Sequence, residues 1–127
     1  MELNHIALYV NDLGKMKLFY EKYFNTKANK MYNNPKTGLK TYFLEFNSSC
    51  RIEITNKEKL SNVTKEINSV GYINIAFSAG GKNKVDELTE LLENDWYRIT
   101  SKPGTTEDGY YESCIIDPEG NQIEIVE

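Results

Sequence analysis

Two short runs decide how this chain reads: "NHIALYV", from Asn4 to Val10, and "INIAFSA", from Ile73 to Ala79. Laid over one another they place apolar and aromatic residues at the same steps, with His5 opposite Asn74. "CRIEIT" (Cys50 to Thr55) and "NQIEIVE" (Asn121 to Glu127) extend the match and set Glu53 opposite Glu124, at nearly the same shift of about 70 residues. A repeat constrains architecture more firmly than local propensity does.

Working outward, each half keeps the same order of elements. "DLGKMKLFYEKYF" puts Leu13, Met16, Phe19, Tyr20, Tyr23 and Phe24 on one helical face, with Asp12 as N-cap. "KNKVDELTELLEN" repeats the stripe with Val85, Leu88, Leu91 and Leu92. After each helix come runs of strand character: "KANKMY", "LKTYFLEF" and "CRIEIT", then "WYRIT", "YYESCIIDP" and "NQIEIVE". Turn chemistry separates them, in "NNPKTG", "FNSSC", "KPGTTEDG" and "DPEGN". The expectation is one domain over 1–127, built as a module 1–55, a polar connector 56–71 and a module 72–127.

Bulk properties bound the function. The length, 127 residues, is that of one compact domain, and 39% hydrophobic with 27% charged residues is ordinary soluble usage. No apolar run approaches the roughly 18 residues that a membrane span needs. No basic stretch leads into an apolar one at the start, so a cytoplasmic protein is expected. A net charge of −4 with scattered lysines argues against nucleic acid as a partner. Cys50 and Cys114 lack close-spaced metal or redox pairing and read as free thiols acting as small buried hydrophobes.

Alternation along the strands then sorts the side chains, since neighbours face opposite sides of a sheet. Ile6, Leu8 and Val10 share one face, as do Ile52 with Ile54, Ile75 with Phe77, and Ile123 with Ile125; these meet the helices. His5, Glu53, Asn74 and Glu124 take the other face. Two carboxylates, an imidazole and an amide there need water, a counter-charge or a cation. They form a candidate octahedral, oxygen-rich metal set.

At this point the chain resembles the vicinal oxygen chelate superfamily, the glyoxalase, bleomycin-resistance and extradiol-dioxygenase fold. The residues that carry the likeness are "NHIALYV", "IEI" closing the first half, "INIAF" opening the second, and "DPEGNQIEIVE" at the end. The resemblance implies an α+β fold of two βαβββ modules curled into a cup, a divalent metal, a small-molecule substrate and a homodimer. It is most like glyoxalase I, or lactoylglutathione lyase, whose bacterial members carry His, Glu, His, Glu at the four positions. His5, Glu53 and Glu124 match, and Asn74 departs from the expected histidine.

What the resemblance implies for chemistry is proton transfer between adjacent carbons of a hemithioacetal, with Glu124 as base and Glu53 as the opposing ligand. The ion would be nickel, zinc, manganese or magnesium. A neutral amide at position 74 shifts preference toward hard ions. Asn74, together with the aromatics Tyr9, Tyr42, Tyr110 and Tyr111 as a cup lining, supports a second reading, a metal-free binding protein like the bleomycin-resistance members. Thiol transfer to an antibiotic and extradiol cleavage both call for two histidines, and this chain has one. "KPGTTEDGYYES", Lys102 to Ser113, reads as a gate or as a plain hairpin, and Arg51 and Arg98 as partners of an acidic substrate or as solvated strand charges.

Overall fold

Asp12 opens the first helix as its sequence position predicts, its carboxylate accepting the Lys15 N–H at 2.9 Å. The computed structural model describes residues 1–66 and 68–127; residue 67 of the expected 56–71 connector lies outside the described residues. The chain divides into two compact units, Met1–Val63 and Thr64–Glu127.

The first unit runs β1 (His5–Tyr9), α1 (Leu13–Phe24), β2 (Lys27–Ala28), β3 (Tyr32–Asn34), β4 (Leu39–Glu45) and β5 (Arg51–Asn56). Its sheet has the order β1-β5-β4-β2, with β3 also on β4; β1 runs parallel to β5 and the other pairs are antiparallel. Helix α1 ends where Asn25 turns left-handed, at φ 51 and ψ 34. Met16, Phe19, Tyr20, Tyr23 and Phe24 are buried, and the sheet supplies Val10, Leu44, Ile52 and Ile54 to the core.

The second unit runs β6 (Ile75–Ser78), α2 (Lys82–Asn94), β7 (Ile99–Thr105), β8 (Tyr111–Ile116) and β9 (Gln122–Val126), in the sheet order β6-β9-β8-β7. Here β6 is parallel to β9. Val85 and Leu92 of α2 are buried, as are Ile115, Ile123 and Ile125 of the sheet. The second unit is a βαβββ module and the first is the same with its first post-helix strand split into β2 and β3, so the protein is α+β; the Ile-rich strand faces are the buried ones, as alternation predicts.

Four local expectations need correction. The strand expected over "KANKMY" splits into β2 and β3, because Asn29 meets Phe43 through both its backbone N–H (3.0 Å) and its side-chain oxygen (2.9 Å). The strand expected from Trp96 begins only at Ile99. Trp96 and Tyr97 instead close α2, with Trp96 N–H to Glu93 O at 3.0 Å and Tyr97 N–H to Leu92 O at 2.9 Å. That is a Schellman pattern with a tryptophan at φ 67, where glycine is the usual residue.

Leu91 is 45% exposed, and Thr89 takes the buried place, bonding Val85 O and the Ser113 hydroxyl, both at 2.6 Å. Finally, the turn expected over "KPGTTEDG" is half strand, and of its two readings Lys102–Ser113 is the plain hairpin. β7 runs through Pro103 to Thr105, which an edge strand permits, and the turn shrinks to a few residues around Gly109 at φ 94. No helix among the described residues is long and apolar enough to cross a membrane.

Candidate functional site

In the first unit, strand pairing sets Ala7 opposite Glu53, which brings His5, two residues earlier, onto the carboxylate's side. His5 Nε2 lies 3.5 Å from Glu53 Oε2. Asn4 Oδ1 sits 2.8 Å from His5 Nδ1 and accepts from Arg51 Nη2 at 2.9 Å. Arginine only donates, so the Asn4 atom is an acceptor and His5 Nδ1 must carry the hydrogen. In the neutral ring, Nε2 then presents its lone pair toward Glu53. Phe43 packs edge-on against the imidazole at 5.9 Å, and the Arg51 guanidinium lies 4.6 Å over the Phe43 ring. Arg51 therefore orients His5 through Asn4 and Phe43.

Glu53 is held from the other side. Thr55 donates to its Oε1 at 3.2 Å, and the Thr41 hydroxyl lies 2.9 Å from that of Thr55. Thr41 and Thr55 are buried cross-strand partners, which leaves the hydroxyl pair no solvent to turn toward.

The second unit repeats the arrangement with a change of donor. Ala76 pairs with Glu124, and Asn74 donates from Nδ2 to Glu124 Oε2 at 2.7 Å. Where a histidine would point a lone pair, the amide points an N–H. So the structure brings His5 together with Glu53, and Asn74 together with Glu124, each pair inside one unit.

Two further residues join the second pair. Glu112 and Cys114 lie two apart on β8, and Cys114 is the direct cross-strand partner of Glu124. The ligand atoms of Glu112, Cys114 and Glu124 all lie within 4.8 Å of one another, and all three side chains are half-buried. Cys114 is thus a half-buried thiol beside two carboxylates, not the fully buried small hydrophobe that its surroundings in sequence suggest. Burial, the charge of Glu124, a hydrogen bond with it, and the charge of Asp108 push the Glu112 carboxyl above its ordinary 4.5. Burial and the two glutamates also push the Cys114 thiol above its ordinary 9.0. Among the described residues no lysine, arginine or histidine pairs with Glu112 or Glu124.

A stability prediction follows. A carboxyl whose folded pKa is raised binds its proton more tightly in the native state, so its penalty is present at neutral pH and fades as pH falls through the raised value. Glu112→Gln should raise the melting temperature of the metal-free chain at pH 7 slightly, since solvent screens much of the repulsion at a partly exposed carboxylate. Thermal melts of parent and variant should converge toward pH 4.5.

Two aromatics expected on this face lie elsewhere. Tyr42 pairs with Ile54, lies under Lys17 of α1 and lines a cavity of 390 Å³ with Asp12, Met31, Lys40 and Asn56. Tyr111 donates its hydroxyl to Asp86 of α2 at 2.7 Å, an acceptor that holds its phenol pKa above 10.0. The parity of Tyr42 with Leu44, and of Tyr111 with Ser113 and Ile115, was the available signal for both. Tyr9 does share the His5 parity and carries Lys57 Nζ 4.8 Å over its ring.

The family model for the Glyoxalase/Bleomycin resistance protein/Dioxygenase superfamily matches residues 2–125. The chain belongs to that superfamily. A Bacillus subtilis (strain 168) protein, the uncharacterized YqjT, is 28% identical over 127 residues, covering 98% of this chain and 97% of its own. Among solved structures, a glyoxylase/bleomycin resistance protein/dioxygenase domain from Frankia sp. EAN1pec superposes with a TM-score of 0.83 at 15% identity, covering 99% and 96% of the two chains. The trypanothione-dependent glyoxalase I of Leishmania major gives 0.77 at 22%, covering 99% and 86%. A glyoxalase I variant from Zea mays gives 0.80 at 22%; this chain is covered to 98% but spans only 43% of the maize chain. These likenesses establish a superfamily fold, on which chemistry is set by the individual side chains.

Proposed function

We propose that this superfamily member is a glyoxalase I-like, metal-dependent isomerase or lyase acting on a hemithioacetal or a related small substrate with neighbouring oxygens. The observation that carries the reading is the paired placement of oriented carboxylates. Glu53 Oε2 faces His5 Nε2 at 3.5 Å, and Glu124 is held by Asn74 at 2.7 Å. An imidazole nitrogen and a carboxylate oxygen side by side are both ligand atoms for a cation, and Glu112 and Glu124, with no basic partner among the described residues, suit one as well. Within each unit the donors present suit a divalent ion.

Each unit is taken by itself: His5 and Glu53 are the proposed donors of the first, and Asn74 and Glu124 those of the second, with Asn74 keeping its carbonyl oxygen for that role. When bound, the ion supplies Lewis acidity toward the substrate oxygens. Glu124 takes the carbon-bound proton and returns it to the adjacent carbon; Asn74 sets the direction of its carboxylate. The hydroxyls of Thr41 and Thr55 hold Glu53, and Arg51 with Asn4 holds His5.

A second reading, metal-free binding of a small molecule, is favoured by one contact: the Asn74 amide satisfies a Glu124 oxygen with no ion needed. The two readings separate in one experiment. Chelator-treated chain, alone and reloaded with nickel, zinc, manganese or magnesium, is mixed with an α-ketoaldehyde and small thiols, glutathione among them, and loss of the hemithioacetal is followed. Turnover that returns with metal supports the isomerase. Absence of turnover with every ion, alongside small-molecule binding by the stripped chain, overturns it.

A further inference from the structure

We infer that Cys114 and Glu112 join Glu124 as metal donors, so that the ion taken by the second unit is a thiophilic, borderline one such as zinc, cobalt or nickel, and not magnesium, calcium or manganese. The inference rests on the metal-dependent reading above and deepens it.

Geometry leads. Alternation along β8 turns Glu112 and Cys114 to one face, and the β8–β9 register sets Cys114 directly across from Glu124. Their donor atoms already lie within 4.8 Å of one another. Bonds of about 2.0–2.3 Å around a four-coordinate ion place donors roughly 3.3–3.8 Å apart, so closure asks for side-chain movement on the order of 1 Å.

Charge points the same way. Two half-buried carboxylates stand side by side, no basic side chain among the described residues pairs with either, and the Asn74 amide that donates to Glu124 is neutral. A divalent ion turns that repulsion into attraction. Cys114 binds as thiolate, its proton leaving to solvent. Selectivity then follows from softness: carboxylates and amides alone suit hard ions, whereas a thiolate adds affinity for zinc, cobalt and nickel. The soft donor outweighs the bias that Asn74 alone would set.

The test uses the full chain, stripped of metal and titrated with cobalt(II). The parent should develop a strong near-ultraviolet sulfur-to-cobalt charge-transfer band. C50S should keep the band and C114S should lose it, with circular dichroism confirming that each variant is folded. C114S should also lower the preference for zinc over manganese by about tenfold or more, and E112Q should weaken cobalt binding by about tenfold or more, given how steeply affinity depends on the ligand shell. Cobalt bound by the parent without the band, or a band that survives in folded C114S, overturns the inference while leaving the metal-dependent reading in place. A parent that takes up none of these ions overturns both. Should C114S not fold, the parent and C50S spectra still decide, since this chain has two cysteines.

Discussion

Glu124→Gln should lower turnover by about 10²–10⁴-fold, the range that general base catalysis supplies, while the chain stays folded. The substitution keeps shape and keeps an oxygen for the Asn74 N–H, which now reaches Glu124 at 2.7 Å. It removes the basic lone pair and the negative charge. It also relieves the repulsion felt by Glu112, so the melting temperature should hold or rise. The loss should fall on kcat more than on KM, because a proton-transfer group acts chiefly in the transition state. A variant with parental kcat on the hemithioacetal would remove Glu124 from the role of base. Because Glu124 is also a proposed metal donor, steady-state kinetics is run at saturating metal and beside a thermal melt, which separates loss of the base from loss of the ion and from unfolding.

Phe19→Ala should cost about 3–5 kcal/mol, a large part of the 5–15 kcal/mol that holds a typical domain together. Phe19 is 3% exposed, and its ring lies 5.2, 5.3 and 5.7 Å from those of Tyr20, Tyr23 and Phe24. Each such pair adds about 0.5–1.5 kcal/mol to what burial alone gives. Leu18, the preceding residue, is 63% exposed, and Leu18→Ala should stay within about half a kcal/mol. Urea denaturation of the two variants tests the facing of α1 directly: equal midpoints would mean that the apolar stripe is not where the burial lies.

The fold was legible because the repeat and the period-2 alternation act over many residues at once. His5 with Glu53, and Asn74 with Glu124, share their strand faces for the reason the alternation implies. Cys114 and Glu112 are less conspicuous in the sequence, because only alternation through β8, where "ESC" puts both on the Glu124 face, marks them. The late start of β7 had a different cause. Nothing in the propensity of Trp96 or Tyr97 announces that they will spend their N–H groups closing α2, because tryptophan is an uncommon left-handed residue. The loss of Leu91 from the core came from a competing polar solution, the buried hydroxyl pair of Thr89 and Ser113, which hydropathy does not score.

The turn between β8 and β9 carries more than connection. Asp117, 4% exposed, gathers the Glu119 and Asn121 N–H groups at 2.9 and 2.8 Å and the Asn121 amide at 2.6 Å. That knot sets how many residues lie between the two strands, and so which residues end up abreast. Were the hairpin one residue longer on one side, every side chain of that strand would change sides, and an oily isoleucine would stand where an acid or thiol now does. The chemistry of this face is thus counted out by a turn that never touches it.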